Sequence, residues 1–337
     1  MLPLGKLPPE LLKSLLPQTS ADPQVVLGPG IGMDCAIVDV GDKLLALKSD
    51  PITFAVESIG WYAVQVNAND IATTGARPRW FLSTILLPEA KATRELVEHI
   101  TGDIFQACQD LGITVVGGHT EITYGLDRPL VIGTLIGEVT RERLVTPKGI
   151  QPGDRILLTK GVPIEGTAIL AREFVEQLGL HLSGEDIHRA QNFLYEPGIS
   201  VVRDAQVACE AGSVTGMHDP TEGGLAAALW EMAIASGLSL VVEPEAVPFP
   251  ELSRRVCQVF DLDPLATIAS GALLLTVPPE DVTPVCAALH REGILCAQIG
   301  RVETGPPQVW HVVENTRQLF PYPERDEITR VYERTRL

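Results

Sequence analysis

Apolar residues recur along this chain with two periods, and the switching between them predicts its elements. Within residues 94–111, "RELVEHITGDIFQACQDL", Leu96, Ile100 and Ile104 fall four apart, and Gly112 follows as a stop. That is the pattern of an amphipathic helix. "RWFLSTILL" and "LVIGTLIGEV" are dense in β-branched and aromatic residues and predict strands, as do "CAIVDV" and "KLLALKSD". The Ala-rich "WYAVQVNANDIATTGA" predicts a helix, "PPELLKSLL" a short Pro-bounded one, and "ITVVGGHTEI" an apolar strand running into a glycine turn.

The Pro and Gly residues of "TPKGIQPGDRILLTKG" mark a linker, after which "RILLTK" opens a new strand–loop–helix unit. We place a domain boundary near residue 150, giving domains 1–150 and 151–337. The second half predicts helices at "EGTAILAREFVEQL", "SGEDIHRAQNFL", "GISVVRDAQVACEA" and "EDVTPVCAALHREG". It predicts strands at "LSLVVE", "GALLLTV" and "CAQIGRV", and a charged surface helix at "RDEITRVYERTRL". Both halves mix strands and helices, so the fold class expected is a two-domain α/β (α+β) protein.

Composition narrows the partners. With 337 residues and 45% hydrophobic content the chain can bury a substantial core. A formal net charge of −17 repels nucleic acid and anionic membrane, so neither is an expected partner. Phosphate ligands stay compatible with that charge when metal ions bridge carboxylate to phosphate. The six cysteines, at 35, 108, 209, 257, 286 and 296, form no CxxC and lie in apolar or small-residue settings. Buried thiols in a reducing cytoplasm are the expectation. The N-terminus lacks the pattern of a signal peptide, and no apolar run reaches bilayer length.

Several polar clusters share one setting, at a strand end or in a glycine-rich turn. Asp34 follows Gly30 and Gly32; Asp50 precedes a proline in "LKSDPIT"; Asn69 and Asp70 precede Gly75. His119, Thr120 and Glu121 follow Gly117 and Gly118, and Asp219 opens "DPTEGG" with Thr221, Gly223 and Gly224. Glycine lets backbone N–H groups approach an anion, and helix starts add partial positive charge. Hard ions such as Mg²⁺ take carboxylate and phosphate oxygens together. The combination predicts a metal–nucleotide site. Asp219 would hold a cation, while Thr221, Gly223 and Gly224 bring backbone against phosphate. Lys6, in "LGKLPPELL", belongs to an N-terminal segment able to reach phosphate, although a solvated lysine is the ordinary expectation.

The order of these clusters resembles the aminoimidazole ribonucleotide synthetase-like (PurM-like) superfamily over nearly the whole chain. "GIGMDCAIV" is similar to its GxGDDAAV element, "SDPIT" to its strand-end TD, and "VNANDIATTGARPRWFLSTI" to its VNDLAxxGAxPxxxL stretch. "VVGGHTEI" is similar to its GG(D/E/H)T turn, and "MHDPTEGGLAAALWEMA" is close to the form found in the hydrogenase maturation factor HypE. The resemblance implies ATP with Mg²⁺ in a groove lined by N-terminal carboxylates, and a homodimer through the N-terminal domain. Asp34, Asp50 and Asp70 become the expected metal residues, with His119 and Glu121 as further candidates. Asn69, Gly117, Gly118, Thr120 and Asp219 would lie near the phosphates.

There are departures. His119 stands where HypE carries an acid, and Glu121 can supply the missing carboxylate. HypE acts through a cysteine at its extreme C-terminus, whereas this sequence ends "YERTRL" and its last cysteine is Cys296. Three functions follow as expectations: a HypE-like ATP-dependent protein without carbamoyl or cyano carriage on that thiol; a small-molecule kinase or ligase of the same fold; and a nucleotide-binding maturation scaffold without turnover. The acceptor, small molecule or protein, is not legible, and no general base can be named.

Overall fold

The computed structural model describes residues 5–7, 9–16, 22–313 and 316–335. The chain forms two compact units. The smaller comprises residues 19–28 and 34–144, the larger residues 1–18, 29–33 and 145–337. The larger begins with α1 (Pro9–Leu15); Pro8 of the predicted helix lies outside the described residues.

In the smaller unit the described strands are β1 (Val25–Leu27), β2 (Ala36–Asp39), β3 (Leu44–Ile52), β4 (Arg77–Pro88), β5 (Thr114–Thr123) and β6 (Leu130–Val139). They form one sheet in the order β1-β2-β3-β6-β4-β5. Two helices, α2 (Ile59–Thr73) and α3 (Arg94–Asp110), belong to this unit. Helix α2 is buried almost along its whole length, so its Ala-rich sequence is core rather than an amphipathic face. It lies on β6 because β6 carries glycine there: a Cβ at Gly133 would sit 2.4 Å from Asn67 Nδ2 and 2.9 Å from the Ala63 carbonyl. Threonines close its C-terminal turn, Thr73 and Thr74 donating to the carbonyls of Asp70 and Ile71.

The expected glycine turn at "VVGGHTEI" is a correction. The backbone stays extended through Gly117 and Gly118 to Thr123, and pairs in parallel with β4, His119 opposite Thr84. Strand β5 is one of the sheet's two outer strands; Val116 and Ile122 are exposed on it, and Tyr124 just beyond it.

The larger unit holds strands β7 (Arg155–Thr159), β8 (Gly216–His218), β9 (Ser239–Val242), β10 (Leu274–Val277), β11 (Cys296–Glu303), β12 (Val309–Val313) and β13 (Thr316–Leu319), ordered β13-β12-β9-β11-β7-β10-β8. Its helices are α4 (Ile164–Glu173), α5 (Val175–Leu178), α6 (Gly184–Gln191), α7 (Val202–Ala211), α8 (Gly224–Ser236), α9 (Glu251–Phe260), α10 (Val282–Arg291) and α11 (Ile328–Thr335). The core includes Ile156, Leu158, Leu229, Val242, Leu274 and Ile299.

Three sequence expectations change in this unit. The helix predicted over "EGTAILAREFVEQL" breaks at Phe174, whose ring turns inward to meet Phe260 and Tyr332 edge-on. Helix α9 was not predicted, although Leu252, Val256 and Phe260 bury at helical spacing. The C-terminal tail is not a surface helix: Ile328 and Val331 are buried. Arg336 and Leu337 of that prediction lie outside the described residues.

Candidate functional site

In the smaller unit three expected carboxylates share one cation that the sequence reading missed. Lys48 and Asp50 are two apart on β3, so they project from the same face. Helix α2 presents Asp70 to the same place. Lys48 Nζ lies 3.2 Å from Asp70 Oδ2 and 3.6 Å from Asp50 Oδ2. Asp70 is nearly inaccessible at 3% exposure, whereas the Asp50 side chain is 37% exposed. Burial alone would lower the Lys48 pKa, but the charges of Asp70, Asp50 and Asp34 outweigh it and hold the ammonium well above its ordinary value. Lys48 is therefore a fixed positive charge inside a ring of carboxylates. The i, i+2 spacing was the available signal for it.

The donors here are anionic oxygens, the set a hard divalent ion prefers. Asp50 and Asp70 already converge on one ammonium, so a single cation can draw on both. Asp50 and Asp70 are the pair here that a divalent ion such as Mg²⁺ could share. Asn69 is fully buried on α2. His119 and Glu121 are exposed on β5, with Nε2 and Oε2 3.4 Å apart, and Gly117, Gly118 and Thr120 are exposed beside them.

In the larger unit β8 leads directly into Asp219, which is 1% exposed, and then into the loop that starts α8. His218 Nε2 is 2.8 Å from Glu231 Oε2, and Glu231 Oε1 is 3.6 Å from Lys6 Nζ. Lys6 is not merely solvated. Its ammonium donates to Thr221 Oγ1 at 2.9 Å and lies 3.7 Å from Glu222. Burial would raise the Glu231 carboxyl, but Lys6 and His218 overcome this and hold it down at about 2. A lysine from the N-terminal segment, a threonine hydroxyl and a His–Glu pair thus meet at the "DPTEGG" loop.

The two glycines of that loop serve the protein itself. Gly224 sits at φ +61°, and a Cβ there would lie 2.6 Å from the carbonyls of Leu265 and Thr267. Gly223 is the N-cap of α8 and has no side chain to cap with. Asp326, from just before α11, supplies the cap: its carboxylate accepts the Gly223 N–H at 2.6 Å and the Ile328 N–H at 2.8 Å. The Gly224 N–H goes to the Thr221 carbonyl. Both amides expected to face phosphate are thus already engaged, and the part-exposed side chains of Thr221 and Glu222 are the groups this loop leaves for a ligand.

Two further carboxyls, Glu165 and Asp326, are buried near this loop. Burial pushes Glu165 up to about 8, although it accepts the Ser270 N–H at 3.2 Å. Burial likewise pushes Asp326 up to about 7, against the backbone N–H groups that it accepts. No local sequence signal marks either one.

The fold and these sites define a protein of the AIR synthase type. The chain matches the AIR synthase related protein N-terminal domain over residues 32–139 and the C-terminal domain over residues 151–312. It belongs to that family. It is 28% identical over 297 residues to a putative hydrogenase expression/formation protein of Methanocaldococcus jannaschii, covering 86% of this chain and 84% of the relative. It is 30% identical over 256 residues to the carbamoyl dehydratase HypE of Azotobacter vinelandii, covering 75% and 72%. Among solved structures, the hydrogenase maturation protein HypE in complex with ATP superposes with a TM-score of 0.70 at 26% identity, covering 94% of this chain and 90% of that one. Among the described residues no helix is long and apolar enough to cross a membrane.

Proposed function

We propose that this chain is a HypE-like, ATP- and Mg²⁺-dependent protein that uses the γ-phosphate of ATP to activate an oxygen of an acceptor, in the service of hydrogenase maturation. The observation that carries the reading is Lys48 held between Asp70 and Asp50. Phosphoryl chemistry asks the protein mainly for positioning and charge neutralisation. Asp34, Asp50 and Asp70 would hold Mg²⁺, which supplies charge neutralisation on phosphate oxygens when bound. Lys48 holds the Asp50 and Asp70 side chains against one another's charge. The likeness to a HypE solved with ATP supports the nucleotide.

The test is a thermal melt with ATP and Mg²⁺ together and separately. Ligand at about 100 times its Kd stabilises by roughly 2.7 kcal/mol. The combination should raise Tm, and Asp70→Asn should remove most of that rise. An unchanged Tm at saturating nucleotide sinks the reading.

We further propose that the activated group is not carried on the cysteines of this sequence. A carrier thiol has to be exposed, ionisable and mobile. Cys35, Cys108, Cys257 and Cys296 are buried, and burial pushes the thiols of Cys108 and Cys257 up to about 12. Cys286 is half-buried and fixed within α10, so it lacks the mobility. Cys209 is exposed, against the expectation of burial, but it is fixed on α7. Incubation with ATP, carbamoyl phosphate and a carbamoyl-transferring partner should give no stoichiometric adduct in the intact mass. An adduct mapped to any one of the six cysteines, and lost on its mutation to alanine, would overturn this.

A homodimer is the third part of the proposal, with β5 as the pairing edge. Its outer side is unpaired in the sheet, and it exposes Val116 and Ile122.

A further inference from the structure

Away from these sites, two thiols of the larger unit stand almost in bonding contact. Cys286 is on α10, and Cys296 is the first residue of β11. Their sulfur atoms are 3.2 Å apart. A disulfide needs about 2.05 Å, so closure requires a movement of only about 1 Å.

The segment between them is tightly built. The Glu292 and Ile294 N–H groups donate to the Leu289 carbonyl at 3.0 and 2.9 Å, and the Gly293 N–H donates to the His290 carbonyl at 3.0 Å. The Cys296 N–H donates to the His290 ring nitrogen at 3.2 Å. These bonds fix where β11 starts relative to the end of α10, and so hold the sulfurs together.

The two thiols are chemically unequal. Cys286 is half-buried and Cys296 buried. The hydrogen bond between the two sulfurs lowers the Cys286 thiol, and the same bond together with burial pushes Cys296 up. An accessible thiolate beside a protonated, shielded thiol is the arrangement of an attacking and a resolving cysteine.

We propose that Cys286 and Cys296 form a peroxide-sensitive dithiol that closes reversibly into an intramolecular disulfide. The Cys286 thiolate attacks one oxygen of hydrogen peroxide. An S–O bond forms, the O–O bond breaks, and hydroxide leaves and takes up a proton as water. The Cys296 sulfur then attacks the Cys286 sulfur of the sulfenic acid. The S–S bond forms, the S–O bond breaks, and the departing hydroxide takes the Cys296 proton as a second water. Two thiols are oxidised and one peroxide is reduced to two waters. The bond ties α10 to β11 where Cys296 lies opposite Thr159, whose hydroxyl donates to Asp204 at 2.6 Å beside Lys160.

The test uses the full chain with Cys209→Ser, which removes the exposed thiol. After hydrogen peroxide and alkylation, the intact protein should be lighter by about 2 Da before blocking and should take up two fewer alkyl groups, both restored by dithiothreitol. Peptide mapping should join Cys286 to Cys296. Adding Cys296→Ser should halt the reaction at a dimedone-trappable sulfenic acid on Cys286, and adding Cys286→Ser should leave Cys296 without a dimedone adduct. Full alkylation of both cysteines after peroxide overturns the proposal. So does a dimedone adduct on Cys296 in the Cys286→Ser protein, whose folding is checked by its melt.

Discussion

Glu165 and Asp326 show how burial, helped by neighbouring carboxylates, brings a side chain's pKa into the neutral range. Their ordinary values are 4.5 and 3.8, and in the fold they lie at about 8 and about 7. The folded chain therefore keeps protons that the unfolded chain has already released. By linkage, the stability from those protons is complete below the unfolded values and is lost as pH rises through the folded ones. Urea unfolding followed between about pH 5 and pH 8 should show stability falling as pH rises. Glu165→Gln, which keeps a neutral acceptor, should flatten part of that fall; an unchanged slope would count against it. Glu231 has the opposite sign: its carboxyl is held down at about 2, so its contribution is present above the unfolded value of 4.5 and is lost as pH falls from there through about 2. The two effects therefore separate cleanly along the pH axis.

At the scale of an element, α8 is a helix whose start is completed from elsewhere in the chain. Its N-cap is a glycine, and Asp326 brings the acceptor from 103 residues away. A carboxylate there also opposes the partial positive charge of the helix start. Asp326→Ala should cost about 1–2 kcal/mol, the usual range for a lost cap, while Asp326→Asn should cost less. Chemical denaturation of the two variants compares them directly, and equal losses would remove the capping argument. Helix α9 and strand β8 make the complementary point about recognition. The first lies between "PFP" and "DLDP" and the second is only three residues long, so local punctuation hid elements that the larger unit's sheet and core require.

For the whole molecule, the open edge at β5 decides what assembly to expect. Exposed Val116 and Ile122 along the open edge of β5, with Tyr124 just beyond it, would favour association. The double variant Val116→Lys, Ile122→Lys should shift light scattering at micromolar concentration from dimer mass to monomer mass with little change in Tm. A monomer mass for the unaltered chain would rule the dimer out. The same edge carries His119 and Glu121, so loss of the dimer should also weaken ATP binding if those residues contribute to the site across two copies.

The sequence by itself determined the family, the α/β class and most elements whose pattern is local and periodic. α3 and β6 are examples, with Ile100 and Ile104 on one face of the helix, and buried Val131, Leu135 and Val139 alternating with half-buried Ile132, Thr134 and Ile136 along the strand. It also singled out Asp34, Asp50 and Asp70 as expected metal residues, through the likeness of their motifs to those of the family. Only the tertiary structure decided which charge opposes them and which groups answer the "DPTEGG" loop. Lys48 matters because α2 folds across β3 and brings Asp70 within 3.2 Å of it. Lys6 and Asp326 reach the loop from positions 215 and 103 residues distant in the chain. Pairings of that kind leave no period in the sequence. They are set by the packing of sheets and helices, which places the partners together only after the chain has folded.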